Sequence, residues 1–219
     1  VDSEVMKIAI PMDKRIMHDN KGSLTEQLYG NDGQAIYSIS RAQLNVLMMK
    51  LAAKNGADLY FNEKCIEANL EQASVIFENT NTNQKQTVTS DLIIGADGAF
   101  SAVRKQMVEQ YDHQFNYNKI DHDYKELHIP AGKNGTFLLE KNALHIWPRG
   151  DFMLIALANL DGSFTCTLFA PKKGERSFEG LNSKLEVENY FSTIFPDFLE
   201  LVPDLYEQWI ANPTSGLGI

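Results

Sequence analysis

The sequence predicts a mixed α+β and α/β fold, in which part of a Rossmann-like nucleotide-binding layer with a β-meander is joined to an antiparallel sheet with flanking helices. Three observations carry this. Leu92-Ile93-Ile94-Gly95 is a continuous apolar run, the pattern of a strand buried on both faces. His145-Ile146-Trp147, Phe152 to Leu157 and Ser163 to Phe169 are strand-like segments separated by turn residues, as in an antiparallel sheet. Leu44, Leu47, Met48, Leu51 and Ala52 recur at the spacing of one helix face.

The chain divides into three blocks, 1–40, 41–111 and 112–219. In the first, Lys7 to Pro11 and Arg15 to His18 read as short strand or loop pieces, and Ile36 to Ile39 alternates like a strand. At the start of the second, Ser40 and Gln43 form a capping box ahead of the helical series, and Gly56 is placed to end that helix. Leu59-Tyr60-Phe61 reads as a short strand. Residues 66–69, 74–78 and 86–90 then form a meander, turned at Glu71-Gln72 and in the polar run 79–84. After the apolar run, Ala99 to Gln110 reads as a helix. In the third block Pro148-Arg149-Gly150 and Asp161-Gly162 supply hairpin turns, Asp-Gly being a strong signal. Leu185, Val187, Phe191, Ile194 and Phe195 mark a helix that Pro196 stops, and a second short helix covers Asp204 to Ile210. The middle block is expected in the nucleotide-binding layer. The flanking blocks are expected in a sheet that covers a substrate.

Composition narrows the function classes. With 219 residues, 43% of them hydrophobic and 22% charged, the chain can bury an ordinary core. A net charge of −9 argues against nucleic-acid or anionic-membrane partners, which select basic surfaces. No apolar run approaches the roughly 20 residues of a membrane span. Val1-Asp2-Ser3-Glu4 does not resemble the start of a signal peptide. Cys65 and Cys166 are far apart and in no metal-ligand spacing, which suits reduced thiols in a cytoplasmic protein. His18, His113, His122, His128 and His145 also lack ligand spacing, so no metal is expected. The chain opens without Met and stops at Thr214 to Ile219 without a cap or polar tail, the form of a piece of a longer protein.

Four sets of residues could carry chemistry. Leu92 to Arg104 contains Asp97-Gly98-Ala99-Phe100-Ser101-Ala102-Val103-Arg104, a tight acidic turn that opens a helix. The helix N-terminus offers N–H groups to a phosphate, Gly98 lets a ligand approach the backbone, and Asp97 either accepts from a ribose hydroxyl or caps the helix. The plainer reading is an Asp cap on a Gly turn. Arg41 stands in the first turn of a helix, where a cation opposes the macrodipole by about 0.3–1 kcal/mol unless an anion lies nearby. Otherwise it is a solvated arginine. Arg15 and Tyr29 could together hold a carboxylate through a guanidinium fork and a phenol, although sequence alone does not bring them together. Leu144, Met153, Ile155 and Phe169 could line an apolar pocket or belong to a plain core, and 153 and 155 share a strand face. The Gly-x-Gly-x-x-Gly fingerprint, a nucleophile elbow and a Walker loop are absent, and no residue is assigned a catalytic role.

The segment Leu92 to Arg104 resembles the Asp-Gly motif of class A flavin monooxygenases, the para-hydroxybenzoate hydroxylase-like family. Ile10-Pro11-Met12, Arg15-Ile16-Met17-His18, Tyr29-Gly30, Ser38-Ile39-Ser40-Arg41, Tyr124 to Pro130, Asn142 to Arg149, Phe152 to Leu157, Ser163 to Phe169, Phe195-Pro196-Asp197 and Asn212-Pro213-Thr214 resemble its kynurenine-hydroxylating branch. The resemblance implies an enzyme in which FAD is reduced by NADPH and reacts with O2, one oxygen passing to the ring of L-kynurenine. It also implies roles. Arg15 and Tyr29 would bind the substrate carboxylate, and Leu144, Met153, Ile155 and Phe169 would line the space around its ring. Arg41, Cys65 (through its main chain), Asp97 and Gly98 would contact FAD. The family's glycine-rich βαβ unit and its second flavin motif have no counterpart in the sequence. This piece alone is therefore expected to be inactive and to bind FAD weakly or not at all, and pairing of open strand edges in a homodimer is an expected way to stay soluble. Two other readings stand beside this one. A different class A hydroxylase or flavoprotein reductase would not need the Arg15/Tyr29 pair if its substrate lacked a carboxylate. A non-catalytic small-molecule-binding module, or a purely structural domain, would not need the cofactor residues.

Overall fold

The computed structural model describes residues 1–31, 33–111 and 118–218. They fall into two compact units, Val1–Leu51 with Asn118–Ile219, and Ala52–Tyr117. His113 lies outside the described residues.

In chain order the elements begin with a five-residue helix α1 (Asp2–Met6), followed by strands β1 (Ile10–Met12), β2 (Lys14–His18), β3 (Leu24–Leu28) and β4 (Ile36–Ser38). Helix α2 (Arg41–Lys54) follows. The Gln43 amide lies 3.5 Å from Ser40 Oγ, and Gly56 ends the helix at φ +89° with the Ala57 amide donating to Ala52 O at 3.1 Å, a glycine stop as expected. Strands β5 (Glu63–Asn69), β6 (Ser74–Asn79) and β7 (Lys85–Thr89) and helix α3 (Ala102–Tyr111) make up the second unit. The chain returns through β8 (Lys119–Ile129), β9 (Ala143–Pro148), β10 (Met153–Ala158) and β11 (Phe164–Pro171), then α4 (Lys184–Ile194), α5 (Pro196–Leu199), α6 (Leu205–Ala211) and β12 (Thr214–Gly218).

In the first unit, seven strands form a mixed sheet in the order β12-β8-β11-β10-β9-β2-β3, with β1 and β4 pairing separately. Alternation along the strands gives the sheet one buried face. Leu127, Ile129, Trp147, Leu154, Ala156, Phe164, Cys166 and Leu168 lie there, packed with Val187, Phe191, Phe195, Phe198 and Trp209 from α4, α5 and α6. The helices are held to it by specific polar ties. Ser183 and Glu186 form a capping box at the start of α4. The Lys125 ammonium is buried and donates to Trp209 O (2.9 Å) and Asn212 O (2.6 Å), which satisfies carbonyls at the end of α6. Burial lowers its pKa.

The second unit is the antiparallel meander β5-β6-β7 with α3 against β5. The mixed α+β class, the antiparallel strands β9, β10 and β11 and the meander are as expected, but β2 joins β9 in parallel and makes the large sheet mixed. Several details differ. Leu92 to Ile94 was expected as a buried strand, but it pairs with no strand among the described residues, and Leu92 and Ile94 are 72% and 80% exposed. Leu59 to Phe61 likewise carries no ladder. An apolar run states only that burial is favourable, and a strand also needs a neighbour for its backbone. Pro196 ends α4 as expected, but it also opens α5, since proline is tolerated at the first helical position. Strands β3, β8 over its full length and β12 were not foreseen.

Candidate functional site

The face of the seven-stranded sheet opposite the helices is the candidate site, and cross-strand register assembles it. β2 runs parallel to β9 and pairs Arg15 with Leu144 and Met17 with Ile146. Ile155 on β10 stands opposite Ile146 on one side and Thr167 on the other. Met153 stands opposite Phe169, and Phe169 opposite Tyr124. Side chains of paired residues project to the same face. Arg15, Leu144, Met153, Ile155 and Phe169 therefore share one surface, and the buried Ala143, His145, Leu154, Ala156 and Leu168 occupy the other. Three strand intervals separate β2 from β11, about 14 Å at ~4.8 Å each.

At one side of this surface the Arg15 guanidinium carbon lies 4.9 Å from the centre of the Tyr29 ring. The tie is local: β2 and β3 form a hairpin, and the Tyr29 amide donates to Asp13 O at 2.9 Å just beyond it. Arg15 is half-buried, its Nε has no hydrogen-bond partner, and no carboxylate pairs with it among the described residues. An uncompensated guanidinium stacked on a phenol, beside an apolar floor, can receive a carboxylate while an attached aromatic ring lies on Leu144, Ile155 and Phe169. The structure thus brings together two residues that the sequence could not. Tyr124, whose ring centre is 6.2 Å from that of Phe169, Ile146 and Thr167 join the same floor. Sequence reasoning passed over them, although period-two alternation from Leu144 and Phe169 identifies Ile146 and Thr167. Arg41, at the first position of α2, is exposed and lines a 610 Å³ cavity with Tyr37, Asn45, Glu126, Leu157 and Thr165. Leu157 and Thr165 belong to the open sheet face, so Arg41 stands beside the same surface.

Behind the floor, the buried face carries a polar chain. His145 Nε2 lies 2.9 Å from Glu140 O, His145 Nδ1 lies 2.9 Å from His18 Nε2, and His18 Nδ1 lies 3.0 Å from Asp197 Oδ2. Trp147 Nε1 donates to the same Asp197 oxygen at 2.7 Å, and its ring stacks on His18 with centres 3.9 Å apart. A carbonyl only accepts, so His145 carries its proton on Nε2. Burial lowers the His145 pKa to about 4, which keeps the ring neutral and makes Nδ1 an acceptor. Burial alone would raise the Asp197 pKa, but hydrogen bonds from His18 and Trp147 outweigh it and lower it, so this carboxylate is ionised. His18 therefore bridges the Asp197 carboxylate and the neutral His145 ring through its two nitrogens. These residues are up to 179 positions apart, and spacing gave no signal of their meeting.

The Asp-Gly motif belongs to the second unit. Asp97 accepts from Ser101 Oγ (2.5 Å) and from the Ala102 amide (2.7 Å), which lowers its pKa, the Ser101 bond contributing most. Asp97 is therefore the cap of α3. The first N–H groups of that helix are occupied by it, so they do not offer the phosphate site that the motif suggested. Arg104 donates to the carbonyls of Gly98 and Ala99 and fastens the turn. Gly98 has φ +74° with open space where a Cβ would stand, and Asp97 is fully exposed. The motif lines an 870 Å³ cavity with Ala68, Asn69, Gly95 and Met107. Cys65 lies in β5 where the register shifts, and its thiol pKa is raised first by burial and then by Asp97, which disfavours the reactive thiolate.

Comparison with known proteins gives this geometry a setting. The chain is 47% identical over 219 residues to kynurenine 3-monooxygenase of Flavobacterium johnsoniae, covering 99% of this chain and 48% of that protein. It is 43% identical over 216 residues to kynurenine 3-monooxygenase of Dictyostelium discoideum, covering 98% of this chain and 46% of that protein. It spans about half the length of such relatives. Among solved structures, the tetrameric form of 2-methyl-3-hydroxypyridine-5-carboxylic acid oxygenase matches with a TM-score of 0.66 at 19% identity, over 99% of this chain and 54% of that one. HpxO of Klebsiella pneumoniae, complexed with FAD and uric acid, matches with a TM-score of 0.69 at 13% identity, over 98% of this chain and 54% of that one. Both show a shared fold. Among the described residues no helix is long and apolar enough to cross a membrane. The profile of the family described as FAD binding domain matches residues 6–143, more than half of the chain, and the protein therefore belongs to that family.

Proposed function

We propose that this chain is the middle part of an FAD- and NADPH-dependent monooxygenase that hydroxylates L-kynurenine to 3-hydroxykynurenine with O2. One observation carries the reading: Arg15, stacked on Tyr29 and without a carboxylate partner among the described residues, shares a sheet face with Leu144, Met153, Ile155 and Phe169. That arrangement suits an aromatic amino acid, whose carboxylate and ring need a cation and an apolar floor at a fixed distance. FAD, when bound, supplies the oxygen-activating chemistry. The residues of this chain bind the carboxylate (Arg15, Tyr29), support the ring (Leu144, Met153, Ile155, Phe169) and exclude water from it. Arg41, the Cys65 main chain, Asp97 and Gly98 are assigned to the flavin. The domain reading is kept with it: 1–40 and 112–219 belong to the substrate side, 41–111 to the flavin side.

The test compares the flavin absorbance of this chain with that of a longer protein containing it, each with added FAD. Flavin in the long form and none in the short one is the expected result. Flavin in neither form favours a non-catalytic binding module. A cytoplasmic location and a homodimer formed through an open edge strand such as β3 belong to the same proposal. A strict monomer by light scattering contradicts the second.

A further inference from the structure

Beneath the helices of the first unit, on the side of the sheet away from the candidate site, lies a 540 Å³ cavity lined by residues that include Asn20, Arg149, Arg176, Glu175, Asn189 and Tyr190. Two of these hold donors that the protein leaves unused. Arg149 is only 8% exposed. Its Nε donates to Ile194 O (2.7 Å) and its Nη1 to His18 O (3.0 Å) and Pro148 O (2.9 Å), but Nη2 has no partner. Tyr190, on α4, is also 8% exposed, and its hydroxyl has no partner. Buried donors are almost always satisfied in folded proteins, so two at one cavity need an explanation.

We propose that this cavity is a second ligand site, for a small carboxylate held by Arg149 Nη2 and the Tyr190 hydroxyl with exposed Arg176 beside them. Two unpaired buried donors at one cavity match the two oxygens of a carboxylate. A phosphate dianion has more oxygens to satisfy and meets stronger repulsion from a chain of net charge −9. Of the acidic residues at the cavity, Glu186 is taken up by the capping box, accepting from the Ser183 amide at 2.8 Å and the Asn182 amide at 3.1 Å. Glu175 is exposed, where solvent screens its charge. Burial raises the Tyr190 pKa, so the phenol stays a donor over the working pH range. The site is separate from the Arg15 clamp and needs no flavin.

The test uses the 219-residue chain in ¹H–¹⁵N NMR titrations with sodium acetate against sodium chloride at matched ionic strength. In the wild type, acetate shifts the amides of Arg149, Tyr190, Thr193 and Ile194 saturably. Tyr190→Phe removes only a hydroxyl that has no protein partner, and Arg176→Ala alters an exposed side chain, so both variants fold. Each is expected to raise the half-saturation concentration, Tyr190→Phe by about tenfold, the loss of one hydrogen bond to a charged group. Shifts that grow linearly in all three proteins, or that saturate equally in the variants, overturn the proposal. Tighter binding of inorganic phosphate than of acetate overturns the carboxylate assignment. Without anion, Tyr190→Phe is expected to melt no lower than wild type. A fall of several degrees means that the hydroxyl already has a partner, and that also overturns it.

Discussion

Arg15 and His145 sit on the neighbouring strands β2 and β9 but serve opposite faces of the sheet. Arg15 faces the candidate site. In a longer protein containing this chain, Arg15→Gln is expected to raise the KM for L-kynurenine on the order of ten- to a hundredfold, because a charge-assisted bond is lost, with a smaller change in kcat. Steady-state NADPH oxidation measures this. His145 faces the core, and its pKa is lowered by burial from 6.5 to about 4. As the pH falls through that window the unfolded chain takes up a proton that folded His145 refuses. The unfolding free energy should therefore decline between about pH 6.5 and pH 4, by roughly 3 kcal/mol from this residue. Asp197 is lowered instead, so its contribution is present above the ordinary carboxylate range and is lost only as the pH falls through its folded value. Urea unfolding at several pH values should show the His145 slope in wild type and its loss in His145→Gln. At this scale the residue types were readable, but their meetings were not. Arg15 with Tyr29, and His18 with His145 and Asp197, are joined by strand register and long-range packing, which spacing along the chain does not encode.

The elements were most legible where local chemistry and burial agree. The α4 helix has its apolar stripe and its Ser183 cap, and Ser183→Ala should lower stability by about 1 kcal/mol in a denaturant titration. The Asp161-Gly162 hairpin signal was also readable. Gly162 has φ +91°, and an added Cβ would collide with the carbonyl oxygen of Gly135, so Gly162→Ala should cost about 2–3 kcal/mol. The long strand β8 was missed because its exposed start carries the charges of Lys119 and Asp121, and its buried half includes Lys125, which reads as surface until its carbonyl partners at the end of α6 are seen. The edge strand β12 is Gly-rich and owes its ladder to β8 rather than to propensity.

At the scale of the whole molecule, the two units differ in how completely they are built. The first has a continuous core from sheet to helices. The second leaves Leu92, Ile94 and Phe100 at 72%, 80% and 99% exposure, and its apolar run has no ladder partner among the described residues. That contrast fits the proposal of a part of a longer flavoprotein, given relatives about twice as long. It also explains why the Rossmann-like layer was legible as a pattern but not as a sheet. In the proposed function the Arg15 and Tyr29 pair selects a carboxylate-bearing aromatic substrate. The most direct test is FAD-dependent NADPH oxidation by a longer protein containing this chain, with L-kynurenine and with its decarboxylated amine at equal concentration. Strong stimulation by L-kynurenine, little by the amine, and loss of the difference in Arg15→Gln are the expected results. Equal stimulation by the two compounds in the wild type would contradict that role of the pair.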